Sequence, residues 1–559
     1  MAIAGPRIFG AGIRRTATER GLSLFAIVLG LVLALPLLTI IYLAATPKEN
    51  VWPHLIATVL PGFIWQTLVL LAGVGAVTFV IGTGVAWLVT MCSFPLRRMF
   101  QWASLVPMAA PGYIVAYTYV DFLSYAGPAQ TGLRALMGWK TPQDYWFPDI
   151  RSLPGAIVVM SMVLYPYVFL TARASFIRQP AHQLEVARTL GQTAWGAFLT
   201  VALPQARPAI AVGVSLALME CLNDIGAAGF FGVRTLTLGI YTTWLAQGNL
   251  GGAAQIAAVM LIFVFALVWI ERWARQHQAF VMPSQRARPV QRISLKGWRG
   301  WLAFGCCLAP ILLGFVVPGL VLLNFALHRL ASLLSLSYLK AASHSLVLAA
   351  TAAIIAVGLG LVLAYANRLT ASGLTRKVIR LASVGYAIPG TVLGIGVLIP
   401  LAGFDNGVDS FMRDRFGIST GLLLSGSIAA ITFAYVVRFL AISFGAIESG
   451  LEKVTPNLAA AARTLGRGPI AAFREVHLPL LRPALVSAAL LVFVDCMKEL
   501  PATLILRPFD FETLATTVFT LASLEQLEES ALPALTIVAV GLIPVILLAR
   551  TLRDPKLKP

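Results

Sequence analysis

The chain has 559 residues, of which 58% are hydrophobic and 12% are charged, with a formal net charge of +19 at pH 7. Soluble domains carry about a quarter charged residues, so this composition excludes them and indicates a polytopic membrane protein. The Arg and Lys residues fall mainly in alternate short loops, as in cytoplasmic loops of membrane proteins, which excludes a nucleic-acid-binding surface.

Apolar runs that are long enough for a helix to cross a bilayer recur along the chain. We expect spans at 22–45, 66–91, 99–124, 154–178, 206–230, 254–272, 302–327, 344–366, 377–402, 420–445, 482–505 and 531–551. The prediction is therefore an all-α polytopic protein with about 12 transmembrane helices. The first run follows a basic leader and is longer than the core of a cleaved signal, so we expect a retained span that starts in the cytoplasm.

The second half of the chain repeats the first at an offset of 275 to 278 residues; for example, Gly82 matches Gly360. Six spans per half is an even number, which predicts two parallel six-helix repeats related by an axis along the membrane normal. We expect the repeats at 1–272 and 301–559, joined by a basic cytoplasmic linker at 273–300.

Each repeat contains one Pro-Gly pair, Pro111-Gly112 in the first and Pro389-Gly390 in the second. Proline removes a backbone donor and glycine lets backbones approach closely, so the pairs are candidate kinks of a translocation pathway. Simple helix-packing devices would look the same, and both interpretations stay open.

Each half also contains one polar, amphipathic island on a predicted cytoplasmic loop, at about 180–206 and 455–481. The first reads LEVARTLGQTAWGAFLTVALPQARPAI and the second LAAAARTLGRGPIAAFREVHLPLLRPAL. A short helix should end near Gly191 or Gly466, because glycine is favoured just past a helix C-terminus. A second amphipathic helix should follow and end at a Leu-Pro pair.

The islands resemble the cytoplasmic loop of the binding-protein-dependent permeases of ABC importers, with Glu-Ala-Ala, three residues, Gly, nine residues and Ile-x-Leu-Pro. The matching positions are Glu185, Val186, Ala187, Gly191, Val201, Leu203 and Pro204 in the first copy, and Ala460, Ala461, Ala462, Gly466, Val476, Leu478 and Pro479 in the second. The resemblance covers nearly the whole chain. It implies the type I ABC importer permease fold and a role for both islands in coupling to an ATPase.

The second island departs from this pattern because Ala460 stands where the family has Glu, whereas the first island keeps Glu185. If Glu185 contacts the ATPase, the two loops couple unequally. Alternatively, this Glu only favours a helix N-terminus.

The resemblance further implies a dimer of ABC ATPase subunits, an exported substrate-binding protein and a bacterial inner (plasma) membrane location with both termini in the cytoplasm. The chain has no G-x-x-x-x-G-K-[ST] phosphate loop, so we expect it not to be an enzyme. ATP and Mg are then expected on the partner ATPase. We predict no catalytic residue, no metal site, no cofactor and no nucleic-acid partner for this chain.

Two ionisable clusters follow the islands at an offset of 275. Their members are Glu220, Asn223 and Asp224 in the first half, and Asp495, Lys498 and Glu499 in the second. The i, i+3, i+4 spacing places each trio on one helix face, and ionisable residues in spans are candidates for function. They would face the bundle interior or the axis between the halves, as a polar lining or gate. Alternatively, Lys498 only neutralises Asp495 or Glu499.

An acidic lining suits a cation better than sulfate or phosphate, because carboxylate oxygens are hard ligands. The segments LNDIGAAGFFGVRTLTLGIYTTW and CMKELPATLILRPFDFETL resemble those of fused two-domain iron(III) permeases. The resemblance implies inward transport of iron(III). Thiamine, polyamines or phosphonates remain alternatives, and an ATP-independent secondary transporter is the rival class.

Overall fold

Helices make up almost all of the chain that the structure describes. The computed structural model describes residues 17–46, 51–179, 181–276, 292–330, 335–369, 373–383, 385–452 and 473–551, together with the single residues 333, 454, 458, 464 and 471. Within these residues, eleven helices are long and apolar enough to cross a membrane. Amides in lipid need partners within their own segment, which a helix supplies, so the all-α prediction is confirmed.

The first half of the chain, up to residue 276, alternates long helices with short ones. In chain order these are α1 (Ala17–Ala45), α2 (Trp52–Ala57), α3 (Leu60–Met91), α4 (Arg97–Ala103), α5 (Gly112–Leu123), α6 (Pro128–Met137), α7 (Leu153–Arg178), α8 (Ala181–Thr189), α9 (Ala194–Ala197), α10 (Leu203–Asn223), α11 (Ile225–Phe230), α12 (Leu236–Tyr241) and α13 (Leu250–Gln276).

The second half, from residue 292 onward, follows a similar order. Its helices are α14 (Trp298–Ile311), α15 (Val317–His328), α16 (Leu336–Leu369), α17 (Gly373–Ala382), α18 (Gly390–Phe416), α19 (Ile428–Glu452), α20 (Leu478–Met497), α21 (Pro501–Leu506), α22 (Leu514–Ser523) and α23 (Leu527–Thr551). A π turn joins α14 to α15, so the two form one span.

The segment predicted as the third span, 99–124, is not a single helix. It forms α4, a 3₁₀ turn at Val106–Ala109 and then α5. Pro107 and Pro111 lie in this segment, and a proline supplies no N–H to the helical hydrogen-bond ladder. The ninth predicted span, 377–402, is divided in the same way between α17 and α18. In the described part of the chain, eleven helices are candidate spans where about twelve spans were predicted, and the third predicted span contains no helix among them.

The first long helix of each half packs against the other half. α1 lies against α17 and α18, where the Ser23 and Thr375 hydroxyls are 2.7 Å apart. In the reverse direction, the Tyr119 hydroxyl of α5 donates to the carbonyl of Leu313, between α14 and α15, at 2.6 Å. This exchange places buried apolar residues from both halves in one continuous core.

A small parallel bridge connects the linker region to the first half. Strand β1 (Cys92–Ser93), at the end of α3, pairs with β2 (Ile293–Ser294), just before α14. The Leu295 N–H donates to the carbonyl of Ser93 at 3.0 Å. Of the predicted linker, residues 277–291 lie outside the described residues, while this last part is tied to the bundle.

Candidate functional site

Two helices of the bundle begin in its interior, directly after the Pro-Gly breaks. α5 starts at Gly112 and α18 at Gly390. The preceding Pro111 and Pro389 have nearly the same φ and ψ angles, −58° and 143° against −59° and 144°. Each break places a helix N-terminus inside the protein, and the first N–H groups of such a helix have no partner within the helix itself.

The spans predicted at 206–230 and 482–505 end early and place a carboxylate beside each break. α10 and α20 stop, and the short helices α11 and α21 follow. Asp224 Oδ1 accepts the N–H of Ala227 at 2.8 Å, and Glu499 Oε1 accepts the N–H of Ala502 at 3.1 Å. These carboxylates therefore satisfy donors in the first turns of α11 and α21.

Glycine is required after each proline because a carboxylate occupies the space of a side chain. A Cβ atom at Gly112 would collide with Asp224 Oδ2, and one at Gly390 would collide with Glu499 Oε1. The Pro-Gly pairs thus interrupt the helices and allow a close approach, and their role in a translocation pathway stays a prediction.

Side chains of the first cluster bind groups of the second half. Asn223 Oδ1 accepts the N–H of Gly390 at 2.8 Å and Arg438 Nη1 at 2.9 Å. The Tyr386 hydroxyl donates to Glu220 Oε1 at 2.6 Å. The first cluster therefore lies at the contact between the halves.

Both cations of the site are paired with carboxylates of the second half. Lys498 Nζ lies 2.8 Å from Asp495 Oδ1, and Arg438 Nη1 lies 3.4 Å from Glu499 Oε1. Arg438 and Glu499 are both 4% exposed. Sequence reasoning missed Arg438, although an ionisable residue within the apolar run ITFAYVVRFLAISF is the signal that singled out the other residues.

These side chains line a cavity between the halves, with an empty volume of about 680 Å³. Its polar wall comprises Glu220, Asp224, Asp495, Glu499, Arg438, Lys498, Asn223, Tyr113, Tyr167 and Tyr386. Pro111 and Gly112 also line the cavity. Pro389 and Gly390 are not among its lining residues, but the Gly390 N–H donates to Asn223, which is. Four carboxylates against two cations leave a formal excess of two negative charges.

Buried polar atoms in this wall are not all satisfied. The Tyr113 hydroxyl and Arg438 Nε have no hydrogen-bond partner in the part of the chain that the structure describes. The same part contains no group of three or more His, Cys, Asp or Glu residues that could hold a metal ion. The carboxylates therefore line a wall and do not converge on one point.

The first island forms a helix, a glycine turn and a second helix, as the sequence predicts. α8 ends at Thr189, and Gly191 has a φ of +84°, in the left-handed region that glycine favours. The Gln192 N–H donates to the carbonyl of Ala187 at 3.1 Å and closes the helix end.

The predicted end of the second helix at Leu203-Pro204 is wrong. α9 continues through a π turn at Phe198–Ala202 into α10, and the Leu203 N–H donates to the carbonyl of Phe198. Pro204 lies directly after the π turn, inside this continuous helix, and it supplies no N–H to the helical hydrogen-bond ladder.

One face of the first island is buried and the other is exposed. Ala187 and Phe198 pack into the end of the bundle, with the Phe198 ring centroid 4.7 Å from that of Trp87. On the other side, Leu190 is 79% and Trp195 is 64% exposed. Large apolar side chains that remain exposed on a polar segment are candidates for a protein-protein contact.

The second island is described at residues 458, 464 and 471 and, continuously, from 473 onward, where Leu478 and Pro479 begin α20 directly after a π turn at Phe473–His477. The first half shows the same order before α10. Three of the predicted coupling residues lie outside the described residues: Ala460, Ala462 and Gly466.

Comparison with known proteins connects this fold to a transporter family. Residues 78–278 match the family of the binding-protein-dependent transport system inner membrane component. Over 538 residues the chain is 26% identical to the Fe(3+)-transport system permease protein FbpB 2 of Haemophilus influenzae, covering 95% of this chain and 98% of that protein. These matches identify the chain as an ABC importer permease of the fused two-domain type. With its apolar helices, the permease is a multi-pass inner-membrane protein.

Shorter relatives are matched by only part of the permease. The molybdenum transport system permease protein ModB of Escherichia coli is 26% identical over 219 residues, which are 37% of this chain but 92% of that protein. The sulfate transport system permease protein CysW of Escherichia coli is also 26% identical, over 38% of this chain and 74% of that protein. Little more than a third of the permease thus spans most of a complete relative.

Proposed function

We propose that this permease moves iron(III) inward across the membrane. The observation that carries the proposal is the cavity between the halves, where carboxylates outnumber cations and hard oxygen ligands suit a hard cation. The similarity to an Fe(3+)-transport permease over 95% of the chain supports the same substrate.

Other substrates fit this wall differently. An oxyanion such as molybdate or sulfate would face an excess of carboxylates, and Lys498 and Arg438 are already engaged with carboxylates. Thiamine and polyamines are cations, which the same wall would attract, and a phosphonate carries the charge of an oxyanion. These compounds are therefore the competitors against which iron is tested.

The division of the chain into repeats at 1–272 and 301–559 is part of the proposal, and two matched hydrogen bonds support it. The Leu236 N–H donates to Thr67 Oγ1 at 3.0 Å. The Leu514 N–H donates to Ser345 Oγ at 2.8 Å. Each donor and acceptor of the second bond lies 278 positions after its counterpart.

For energy coupling, the two islands would dock on a separate dimer of ABC ATPase subunits, which would bind ATP and Mg. The exposed Leu190 and Trp195 supply an apolar contact, and Glu185, which is also exposed, supplies a charged one. The second island would dock in the same way without a charge at position 460, so that the two contacts are unequal.

In the proposed cycle, an exported binding protein delivers iron(III) to the outer side and both chain termini stay in the cytoplasm. ATP binding closes the ATPase dimer, and the islands carry this motion to the two halves of the permease. The cavity then becomes accessible from the opposite side. Such coupling requires each partner to bind the inward and outward states with different affinities.

The test is reconstitution in proteoliposomes with the ATPase and the binding protein, followed by uptake of labelled iron(III), thiamine and a polyamine. ATP-dependent accumulation of iron alone is expected. Stimulation of the ATPase by thiamine or a polyamine but not by iron would overturn the substrate. Uptake of any of them without the ATPase would favour a secondary transporter.

A further inference from the structure

The carboxylates on the second-half wall of the cavity are paired with fixed cations. Asp495 lies 2.8 Å from the ammonium group of Lys498. Glu499 is buried against the Arg438 guanidinium, 3.4 Å away. Opposite charges at these separations in a poorly solvated site attract each other strongly, so both carboxylates are largely neutralised by the protein itself.

The carboxylates on the first-half wall accept hydrogen bonds from neutral donors, while Lys498 and Arg438, which are paired with second-half carboxylates, also attract Glu220 electrostatically. Glu220 accepts the hydroxyl of Tyr386 at 2.6 Å, and Asp224 accepts the backbone N–H of Ala227 at 2.8 Å. A hydroxyl or an amide satisfies hydrogen bonding but leaves the negative charge in place. Among the described residues, the cavity carboxylates that form an ion pair are therefore those of the second half, and Glu220 and Asp224 of the first half form none.

The repeat explains how this difference arose within similar halves. Lys498 is matched at an offset of 275 by Asn223, and Arg438 is matched by Val163. All four positions line the same cavity. The first half thus has a neutral residue at both positions where the second half has a cation. In contrast, the matched positions 220 and 495 carry a carboxylate in both halves.

We propose that Lys498 and Arg438 act as tethered counter-ions that occupy the second-half carboxylates, so that a permeant hard cation binds at Glu220 on the first-half wall. The inference rests on the proposed function only in taking the permeant species to be a cation. Asp224 accepts a backbone N–H in the first turn of α11, so binding a cation there would disturb that helix. Glu220 accepts a tyrosine hydroxyl instead, and it can exchange this hydrogen bond for a cation without unwinding a helix. The Tyr113 hydroxyl on the wall of the same cavity, unpartnered among the described residues, offers a further oxygen.

Glu220 and Lys498 should then have opposite effects on the binding of a trivalent cation. One charge a few ångströms away in a partly buried site changes the affinity by at least about tenfold. Glu220→Gln should weaken binding by this factor because it removes the charged ligand. Lys498→Met should strengthen binding because it frees Asp495. Adding Asp495→Asn to Lys498→Met should remove the gain, and Lys498→Arg should show none.

The measurement is Tb³⁺ luminescence, excited through tyrosine, on the full-length permease in lipid nanodiscs. Tb³⁺ is a hard trivalent ion, and three tyrosines line the cavity. Glu525→Gln, an exposed carboxylate away from the cavity wall, is the control for surface binding and should leave the titration unchanged. Misfolding of a variant cannot produce the tighter binding expected for Lys498→Met.

Equal Tb³⁺ affinities for the unmodified permease and Glu220→Gln would overturn the proposal. So would a Lys498→Met variant that binds no tighter than the unmodified permease. Both results are independent of the ATPase, the binding protein and iron uptake. If iron uptake fails while these shifts occur, the cation subsite stands and the proposed substrate falls.

Discussion

Asn223 accepts a hydrogen bond of 2.8 Å from the backbone N–H of Gly390. Asn223 is the last residue of α10, whereas Gly390 is the first residue of α18, whose N–H has no acceptor within its own helix. The same oxygen also accepts Arg438 Nη1. The side-chain amide of Asn223 therefore binds two groups of the second half at the wall of the cavity.

Asn223→Leu should lower the stability of the permease because it leaves the buried Gly390 N–H without its acceptor and leaves Arg438 Nη1 with Glu499 as its remaining acceptor. Each unsatisfied donor costs about 1–3 kcal/mol. The midpoint of thermal unfolding of the purified protein in detergent measures the loss. Asn223→Asp keeps an acceptor oxygen and should lose less. Equal midpoints for Asn223→Leu and the unmodified protein would show that the bond contributes nothing.

Arg438→Met should destabilise the permease because it leaves Glu499 buried without a counter-charge. Removing one partner of a buried ion pair costs about 3–5 kcal/mol, whereas replacing both is often nearly neutral. The double variant Arg438→Met with Glu499→Gln should therefore unfold at a higher temperature than Arg438→Met alone. If the double variant is the less stable of the two, the ion pair is not what holds Arg438 in place.

The clusters at the cavity were predictable because their signal is local. Glu220 and Asp495 stand out as charges in apolar runs, and their repetition at a fixed offset marks them as a pair. Their partners were not predictable, since Tyr386 is 166 residues from Glu220 and Arg438 is 215 residues from Asn223. Such pairings depend on how the halves pack.

The same distinction holds for the fold. Hydropathy located the spans, and the glycine at 191 located the turn in the first island. Hydropathy did not locate the interruption of the third span, because runs of apolar residues continue across the prolines. Nor could it show that α1 packs on the second half, since a lipid-facing helix and an exchanged helix have the same composition.

Gly82→Ala should be destabilising because α3 and α7 meet closely at this position. A Cβ atom here would lie 2.6 Å from Val168 Cβ and 2.9 Å from the carbonyl oxygen of Tyr165. Overpacking of this kind costs about 1–3 kcal/mol. Gly84→Ala in the same helix has open space and should be neutral or stabilising, by up to about 1 kcal/mol. In thermal unfolding, Gly82→Ala should therefore have a lower midpoint than the unmodified protein, and Gly84→Ala should not.

The second half offers a related comparison, because Gly360 matches Gly82 at the offset of 278, with Gly358 as a control in the same helix. A Cβ atom at Gly360 would lie 2.6 Å from Ser443 Oγ and 3.1 Å from the Phe444 N atom, whereas one at Gly358 meets nothing within 4 Å. If the halves are repeats, Gly360→Ala should destabilise and Gly358→Ala should not, as for positions 82 and 84. A reversed order in the second half would count against equivalent packing.

Gly191→Leu should impair association with the ATPase, because it disturbs the turn that sets α8 against α9. A branched side chain in the left-handed region costs about 1–2 kcal/mol, which the exposed loop can avoid by changing its conformation. The buried face of the island would keep its packing, but Leu190 and Trp195 would no longer share one surface. Gly191→Asn, which tolerates this conformation, should bind nearly as well as the unmodified protein. Copurification of the ATPase with each variant is the measurement, and Gly132→Leu, on a helix with open space around it, is the control.

Since a second island could keep one ATPase subunit attached, the decisive variant combines Gly191→Leu with Gly466→Leu. Normal ATP-driven transport by this double variant would show that neither glycine is needed for coupling.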